Sequence, residues 1–269
     1  MPDQFVDEAA GSRPGDDPNG DGLRGRRALV TGASRGIGAA IARRLHAAGA
    51  RVVLVARGAA DLDPLAAELS GAIVRAADVG DPVAVAELFE SLETAPDILV
   101  NNAGAARSAP LHRTTDELWR QMLEVNLSGV FHCCRAALPA MLERGRGRIV
   151  NVASTAGLRG YPYVAAYSAA KHGVVGLTRS LALEVARRGV TVNAVCPGFT
   201  ETELLDDSLA NIVRTTGRSP EEAKRELLRS NPQGRFVRPE EVADAVAFLV
   251  SDTAAAINGH ALAVAGGEV

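Results

Sequence analysis

Residues 28–38 read ALVTGASRGIG. An apolar run of strand length ends at Thr31, glycines follow at positions 32, 36 and 38, and an amphipathic, helix-like pattern begins at Ile37. In such a turn the first glycine permits a tight bend, the second lets backbone amides approach a pyrophosphate, and the third lets the helix pack closely on the strand. The helix N-terminus adds amide donors and the positive end of its dipole. Glycines alone are equally typical of an ordinary turn, but their position between strand and helix favours a dinucleotide-binding turn.

The alternation of short aliphatic runs with longer amphipathic stretches continues from Arg26 to the C-terminus. Near-continuous apolar runs are typical of parallel strands that are buried on both faces. We predict strands at 28–31, 52–56, 73–76, 98–101, 148–152, 191–195 and 261–264. We predict helices at 37–48, 61–69, 82–92, 115–142 with a break near Asn126, 164–187 and 239–249. The pattern indicates an α/β fold, a single Rossmann-type doubly wound parallel sheet of about seven strands with helices on both faces.

Composition predicts one domain and one terminal extension. Of the 269 residues 47% are hydrophobic, so a domain from residue 23 to residue 269 can bury enough apolar surface to offset chain entropy. Acidic residues, prolines and glycines predominate in residues 1–22, which predicts a disordered, solvated acidic tail. An arm that binds a partner is the alternative interpretation of this segment.

Charge and cysteine content exclude several classes of function. A net charge of −3 and a pI near 6.0 give no field that collects nucleic acid or a membrane surface, so we expect neither partner. No apolar run approaches the roughly 20 residues of a membrane helix, and no export signal is visible. Cysteines 133, 134 and 196 show no metal or redox spacing, which favours reduced thiols and a cytoplasmic location. The five histidines show no zinc-binding pattern, so we expect no metal site.

Further motifs follow the glycine turn, whose spacing is T-G-x-x-x-G-x-G. They are Asn101-Asn102-Ala103-Gly104 after the fourth predicted strand, Asn126 in a predicted helix, Ser154 after the fifth strand, Tyr167-Ser168-Ala169-Ala170-Lys171, and Pro197-Gly198 after the sixth strand. In this order and at these intervals the motifs resemble those of the short-chain dehydrogenase/reductase family, from about residue 23 to the C-terminus. The resemblance implies an NAD(P)-dependent oxidoreductase that acts on a CH–OH group.

The resemblance also implies which residues bind the cofactor. In the family, the aspartate at the position of Asp78 contacts the adenine amino group, and the segment around Thr200 and Thr202 meets the nicotinamide carboxamide. Asp78 could equally cap the helix that is predicted to begin near Asp81. The implied cofactor-binding residues are Gly32, Ser34, Arg35, Gly36, Ile37, Gly38, Arg57, Asp78, Val79, Asn102, Ala103, Gly104, Tyr167, Lys171, Pro197, Gly198, Thr200 and Thr202.

Two arginines bear on the choice between NADP(H) and NAD(H). Arg57 ends the second predicted strand, where an acidic residue would bind the ribose hydroxyls of NAD. A guanidinium can instead pair with a 2′-phosphate, and Arg35 can clamp that phosphate from the other side. Only two of the 29 basic residues are lysines, so two solvated surface arginines are the alternative interpretation. We expect NADP(H) as the preferred cofactor, with NAD(H) as the alternative.

The candidate catalytic residues are Asn126, Ser154, Tyr167 and Lys171. Carbonyl reduction needs a proton donor, and Tyr167 needs help because a free phenol has a pKa near 10. Lys171 lies one helical turn away, where its cation favours the phenolate. Ser154 would hydrogen-bond and orient the substrate oxygen. The resemblance adds that the lysine bonds the nicotinamide ribose and that Asn126 holds a water that links the lysine to solvent.

Each catalytic candidate also has a structural interpretation. Ser154 could cap a turn. Asn126 could be a helix-breaking amide that bonds to a strand. Tyr161 and Tyr163 could be ordinary packing aromatics, but only Tyr167 has a lysine four residues later. The joint arrangement favours catalysis, and one of the two lysines of the chain occupies this position.

The substrate is less clearly indicated than the chemistry. Residues 147–155 and 192–199 resemble reductases of β-keto thioesters and polyketides within the family. Residues 200–238 form a long, polar, partly helical segment of the kind that covers a substrate. Its arginines could bind the phosphates of coenzyme A or of an acyl-carrier arm, or could form a solvated helix face with the neighbouring glutamates. They are Arg214, Arg218, Arg225, Arg229, Arg235 and Arg238.

The leading hypothesis is NADPH-dependent reduction of a 3-oxoacyl thioester, or of a polyketide, to the hydroxy compound. One alternative is a hydroxyacyl-CoA or other secondary-alcohol dehydrogenase that works in the oxidative direction. An alternative of another class is a catalytically silent protein that senses NADP(H) or acts as a scaffold. The resemblance also implies a homotetramer or homodimer, with residues 258–264 as an interface strand or a plain edge strand.

Overall fold

The computed structural model describes residues 22–269, so the predicted acidic tail lies outside the described residues except for its last position. Seven parallel strands form one sheet in the order β3-β2-β1-β4-β5-β6-β7. The strands are β1 (Arg27–Thr31), β2 (Arg51–Ala56), β3 (Ile73–Ala76), β4 (Ile98–Asn101), β5 (Gly147–Val152), β6 (Val190–Pro197) and β7 (Ala261–Val264). The predicted α/β fold with a doubly wound parallel sheet is confirmed.

Helices cover both faces of this sheet in the described part of the chain. Alternate residues of one strand show why the runs are continuously apolar: Ala28 and Val30 pack into the core on one face, and Leu29 packs into the core on the other. The first face carries α1 (Gly36–Ala47), α2 (Asp63–Glu68) and α9 (Pro239–Val250). The second carries α3 (Pro82–Glu90), α5 (Gly129–Arg144) and α6 (Ala165–Val185), with α4 (Asp116–Leu123) packed against α6.

The structure differs from the prediction at Asn126. Instead of breaking there, the chain continues from α4 into α5 through one wider π turn, Glu124–Ser128. The Asn126 side chain is buried inside this turn, where its Nδ2 donates to the Met122 and Ala105 carbonyls at 3.0 and 2.9 Å. A π turn adds one residue without interrupting the helix, so the polar side chain can point at the loop after β4.

The strand order reverses direction between β1 and β4, which opens a crevice at the carboxyl ends of these strands. The Thr31 hydroxyl accepts hydrogen bonds from the Asn102 and Ala103 amides, both at 3.0 Å. The Asn102 side chain in turn donates to the carbonyls of Thr31 and Gly32, at 3.0 Å each. These bonds hold the glycine turn after β1 against the loop after β4.

Gly38 explains why the turn needs its third glycine. A Cβ at this position would lie 2.1 Å from the Gly32 carbonyl oxygen and 2.5 Å from the Asn102 side-chain nitrogen. Such a contact is impossible without moving the turn, so only glycine allows α1 to begin directly against β1.

Between β6 and α9 the chain forms two helices, α7 (Glu203–Thr216) and α8 (Pro220–Leu228). They correspond to the predicted polar, partly helical segment, and α8 contains its most periodic part. A capping box of Ser219 and Glu222 begins α8. Asn211 on α7 donates to the Ser108 hydroxyl at 2.8 Å, which connects α7 to the loop after β4. In the described range no helix is long and apolar enough to cross a membrane.

Replacement of Thr31 by valine tests the junction of β1 and β4. Valine keeps the shape of threonine but leaves the Asn102 and Ala103 amides without their acceptor, which should lower the free energy of unfolding by about 1–3 kcal/mol. Urea unfolding measures this change, and Thr31→Ser, which keeps the hydroxyl, is the matched control. Equal stability of Thr31→Val and the parent chain would contradict this account.

Candidate active site

One cleft runs along the carboxyl ends of the strands and has a volume of about 1890 Å³. Its size exceeds that of ordinary small-ligand pockets, so it has room for a dinucleotide and a second molecule. Every candidate catalytic and cofactor-binding residue from the sequence lies in its wall. The structure therefore brings together residues that are spread from position 32 to position 202 of the chain.

The phosphate end of the cleft is formed by the glycine turn. Gly36 has a φ of 53°, a conformation that favours glycine, and it begins α1 with its amide directed out of the helix. Ser34, Ile37 and the other turn residues line the same end. The turn thus offers the N-terminal amide donors that bind an anion.

Arg35 and Arg57 lie at this end with exposed side chains. Many arginines of the chain are paired with carboxylates, as Arg43 is with Glu68 at 2.7 Å. For the two cleft arginines, no ion pair with another described residue is present. Their charges are therefore available to an anionic ligand.

Asp78 and Val79 line the cleft after β3. Asp78 Oδ1 accepts a hydrogen bond from the Gly80 amide at 2.9 Å, whereas Asp81 caps α3 by accepting from the Val83 amide at 2.8 Å. The interpretation of Asp78 as the cap of this helix is wrong, because Asp81 is the N-cap residue.

The segment after β6 joins the two ends of the cleft. The Thr202 side chain lies beside Gly36, where a Cβ on that glycine would come within 3.1 Å of Thr202 Cγ2. Thr200 is buried, and its hydroxyl donates to the Gly198 carbonyl at 2.9 Å. Pro197, at the end of β6, lines the cleft next to these residues. A ligand bound at the glycine turn would therefore also reach residues 197–202.

Tyr167 lies in the first turns of α6, with its side chain partly buried. Burial raises the pKa of the phenol above its ordinary value, while a hydrogen bond with Ser154 opposes this rise. Ser154 Oγ also accepts from the Ala156 amide at 3.1 Å. The interpretation of Ser154 as the cap of a turn is confirmed, and the same hydroxyl contacts the tyrosine.

Lys171 is almost fully buried, one helical turn after Tyr167. Its Nζ donates to the Val152 carbonyl at 2.9 Å and lies 5.7 Å from the centre of the Tyr167 ring. Burial lowers the pKa of the ammonium to about 8. A buried lysine with a single carbonyl partner retains donors for a further ligand.

Both polar atoms of the Asn126 side-chain amide form hydrogen bonds within the protein. Its Oδ1 accepts from the Ala105 amide at 3.2 Å, while Nδ2 donates to the Ala105 and Met122 carbonyls. This arrangement is closer to the structural interpretation, with one difference: the partner is the loop after β4 and not a strand. The side chain fixes the Gly104–Ala105 backbone beside Lys171, because a Cβ on Gly104 would lie 3.7 Å from Lys171 Nζ.

The arginines of residues 200–238 are mostly paired. Arg218 and Arg229 lie 3.9 and 3.0 Å from Glu226, and Arg235 and Arg238 lie 2.7 and 3.7 Å from Glu241. This pattern favours the interpretation as a solvated face with neighbouring glutamates over a phosphate-binding patch. Arg218 and Arg229 nevertheless line the cleft.

Sequence reasoning missed part of the cleft wall. Tyr161 lines the cleft, packs edge-on against Phe199 with ring centres 6.4 Å apart, and bonds to Glu268 near the C-terminus. Glu268 is 107 positions from Tyr161 and belongs to no recognisable motif, so only the folded chain reveals the contact.

The residues fit a phosphorylated dinucleotide. The glycine turn forms a cradle that side chains would fill, and two arginines that form no ion pair with another described residue lie at one end. A buried lysine, whose hydrogen bond within the described range is to the Val152 carbonyl, lies at the other end. Among the residues described, no cluster of three His, Cys, Asp or Glu side chains could hold a metal ion.

Comparisons with known proteins agree with this geometry. A family model described as enoyl-(acyl carrier protein) reductase matches residues 32–268. The chain is 43% identical to the 3-oxoacyl-(acyl-carrier-protein) reductase of Escherichia coli (strain K12), over 91% of this chain and 98% of that protein. It is 40% identical to the D-beta-hydroxybutyrate dehydrogenase of Rhizobium meliloti (strain 1021), over 90% of this chain and 98% of that protein.

A solved structure of a variant of actinorhodin polyketide ketoreductase with NADPH is also similar. The TM-score is 0.87 at 44% identity, and the match covers 90% of this chain and 97% of that chain. The motifs, the strand order, the cleft and these relatives agree, and the chain belongs to the short-chain dehydrogenase/reductase family, whose members are oxidoreductases that act on keto and hydroxyl groups.

Proposed function

We propose that the protein reduces a ketone with NADPH, and that the ketone is a 3-oxoacyl thioester carried on coenzyme A or an acyl carrier protein, or a polyketide. The observation that carries the proposal is the meeting of Ser154, Tyr167 and Lys171 in the cleft that also holds Arg35 and Arg57, which pair with no carboxylate of residues 22–269. Relatives at 43% and 44% identity are a 3-oxoacyl-carrier-protein reductase and a polyketide ketoreductase solved with NADPH.

The residues of the chain divide the reaction between them. When bound, NADPH supplies the hydride that reduces the carbonyl carbon. Ser154 donates a hydrogen bond that orients the carbonyl oxygen. Tyr167 gives its proton to that oxygen as negative charge develops, and its raised pKa keeps the phenol protonated beforehand.

Lys171 supports the tyrosine after the proton has left. Its ammonium lies near the Tyr167 ring and stabilises the phenolate by its charge. Its remaining donors can bind the cofactor ribose. Asn126 holds the Ala105 backbone, and so the loop beside the lysine, in place.

We propose that each part of the cofactor binds a different part of the cleft. The amides of residues 34–38 bind the pyrophosphate, Arg35 and Arg57 bind the 2′-phosphate, and Asp78 with Val79 meets the adenine. Residues 102–104 line the middle of the cleft, and Pro197, Gly198, Thr200 and Thr202 meet the nicotinamide end.

Oxidation of a hydroxy acid is the second candidate, because one relative is a D-beta-hydroxybutyrate dehydrogenase. The same residues serve that direction, with Tyr167 as base. Arg35 and Arg57 favour NADPH and hence reduction, since a cationic site prefers the cofactor that carries a 2′-phosphate.

Location and assembly are also proposals. The three cysteines are free and buried, which suits a reducing compartment such as the cytoplasm. Family resemblance suggests a homotetramer or homodimer, with β7 near an interface. Residues 200–238 are proposed to cover the substrate, because α7 lines the cleft and contacts Ser108.

A substrate panel tests the proposed function. Purified protein should oxidise NADPH with acetoacetyl-CoA and longer 3-oxoacyl thioesters, and Tyr167→Phe should lose turnover while it still binds NADPH. The rate is read from NADPH absorbance and binding from NADPH fluorescence. Reduction of free ketones with no reaction of thioesters would overturn the proposed substrate, and an active Tyr167→Phe variant would overturn the proton donor.

The cofactor preference should depend on Arg57. Loss of one charge-assisted hydrogen bond to the 2′-phosphate is worth about 1.5–3 kcal/mol, so Arg57→Ala should raise the KM for NADPH by roughly tenfold or more and leave the KM for NADH nearly unchanged. Arg51→Ala is the matched control, because Arg51 is exposed at the opposite end of the same strand. An equal loss with both cofactors would contradict a 2′-phosphate site.

The pH dependence should follow Lys171. The ammonium has a pKa of about 8, so it loses its charge, and its support of the Tyr167 phenolate, as the pH rises through that value. We expect kcat/KM for reduction, at saturating NADPH, to fall above about pH 8. The Lys171→Arg side chain stays charged throughout, so we expect this variant to have a lower kcat/KM that does not change with pH in this range. A level profile in the parent enzyme would refute the assignment.

A further inference from the structure

Glu268, the penultimate residue, makes a side-chain contact with a residue of the cleft wall. Its Oε1 accepts a hydrogen bond from the Tyr161 hydroxyl. The Tyr161 Oη also lies 2.8 Å from the Thr155 hydroxyl. A phenol has one proton, and a carboxylate is the stronger acceptor, so Tyr161 donates to Glu268 and the Thr155 hydroxyl donates to Tyr161.

Phe199 and Arg159 both contact the Tyr161 ring. Phe199 meets it edge-on, with an interplanar angle of 80°. The Arg159 guanidinium lies 5.0 Å from the ring centre, and its Nη1 donates to the Glu268 carbonyl at 3.4 Å. Arg159 and Glu268 are thus the charged groups that face the phenol. Burial first, and then the hydrogen bond to Glu268, raises the pKa of Tyr161.

The C-terminal segment that carries Glu268 is itself held by backbone contacts. The Gly198 amide donates to the Val264 carbonyl at 3.1 Å, and the Glu268 amide donates to the Ala265 carbonyl at 3.2 Å. Gly266 has a φ of 62°, and a Cβ there would lie 2.1 Å from Asn231 Oδ1, at the base of the α7–α8 segment. The C-terminal residues therefore lie between the end of β6 and the α7–α8 segment, and contacts with both fix their position.

Tyr161 and Glu268 differ in whether they line the cleft. Tyr161, Thr155 and Phe199 line it, whereas Glu268 is not among the described residues of its wall. The Glu268 carboxylate would therefore act on a bound substrate indirectly, through its hydrogen bond with Tyr161. Thr155 directly follows Ser154, so the bonded phenol lies next to the residue that orients the substrate oxygen.

We propose that Glu268 is a positioning residue for the substrate end of the cleft. It accepts the hydrogen bond of the Tyr161 hydroxyl and so fixes the ring as an apolar wall against which the substrate packs. It also prevents the Tyr161 phenol from competing with Ser154 and Tyr167 for the substrate oxygen. The kinetic part of this inference rests on the proposed function.

Kinetics of Glu268→Ala test the proposal. We expect the KM for the carbonyl substrate to rise about tenfold, the kcat to change by less than about twofold, and NADPH binding to stay unchanged, because only the wall of the substrate end is loosened. Glu268→Gln should recover part of the affinity, since its amide oxygen still accepts the phenol proton. Glu90→Gln, an exposed residue at the end of α3, is the matched control.

A double-mutant cycle separates positioning from general stability. Tyr161→Phe removes the same hydrogen bond from the other partner and should raise the substrate KM to a similar extent. Addition of Glu268→Ala to Tyr161→Phe should raise it no further, because the two residues act through one bond. Additive effects of the two substitutions, or equal losses in substrate and NADPH affinity, would overturn the proposal.

Tyrosine ionisation provides a readout that needs no substrate. The chain has three tyrosines, at positions 161, 163 and 167, so the tyrosinate absorbance reports on this region alone. Removal of the Glu268 carboxylate should let one tyrosine ionise at lower pH in the Ala and Gln variants, and this change should vanish in the Tyr161→Phe background. An unchanged titration in a variant with a parent-like circular dichroism spectrum and melting temperature would overturn the Tyr161–Glu268 bond.

Substrate kinetics and the tyrosine titration together distinguish failure of the proposed function from failure of the positioning role. If the parent protein leaves 3-oxoacyl thioesters untouched, the proposed function fails, and the titration still decides whether Glu268 holds Tyr161. If the parent reduces them and Glu268→Ala has an unchanged KM, the positioning role fails while the proposed function stands.

Discussion

The junction between β1 and β4 is the constraint on which the rest of the structure depends. Both strands are buried on both faces, so their apolar residues cannot supply polar partners to the loops that leave them. The Thr31 hydroxyl and the Asn102 amide meet this need at the end of the sheet, since each satisfies backbone groups of the other loop. The cleft opens at this point because successive connections depart in opposite directions. The helix N-terminus that Gly38 brings against β1 thereby lies in the wall of this cleft.

At the other end of the cleft lies a buried cation, Lys171. Placing Lys171 among the ends of β5 and α6 costs desolvation energy, which appears as a pKa lowered to about 8. The Val152 carbonyl offsets part of this cost and leaves other donors unused. A lysine suits this position because its compact ammonium can serve a phenol and a ribose, whereas the planar guanidinium of arginine is broader. Lys171 is one of only two lysines in this arginine-rich chain, and it lies at this position.

The motifs predicted most of the fold and of the site, for a physical reason: each depends on local backbone geometry. Glycine spacing defines the turn, Tyr167 and Lys171 share a helix face, and the apolar runs identify the strands. The wider turn at Asn126 and the bonding of that amide to Ala105 were not predictable, since a π turn depends on packing and has no residue pattern of its own. The sequence offered pairing with neighbouring glutamates as one of two interpretations of the arginines in residues 200–238, and the structure decided between them by pairing Arg229 with Glu226 and Arg235 with Glu241.

The sequence by itself determined the α/β class and the doubly wound parallel sheet, and it singled out candidate residues that all line one cleft, because these follow from periodicity and from motifs of short range. Only the tertiary structure decided that Asp81 and not Asp78 caps α3, that Ser154 both caps a turn and meets Tyr167, and that Glu268 reaches Tyr161. Such contacts join side chains that are close in space, and for Glu268 distant along the chain. Hydrogen-bond geometry, which residue order does not encode directly, selects among the partners that each side chain could have.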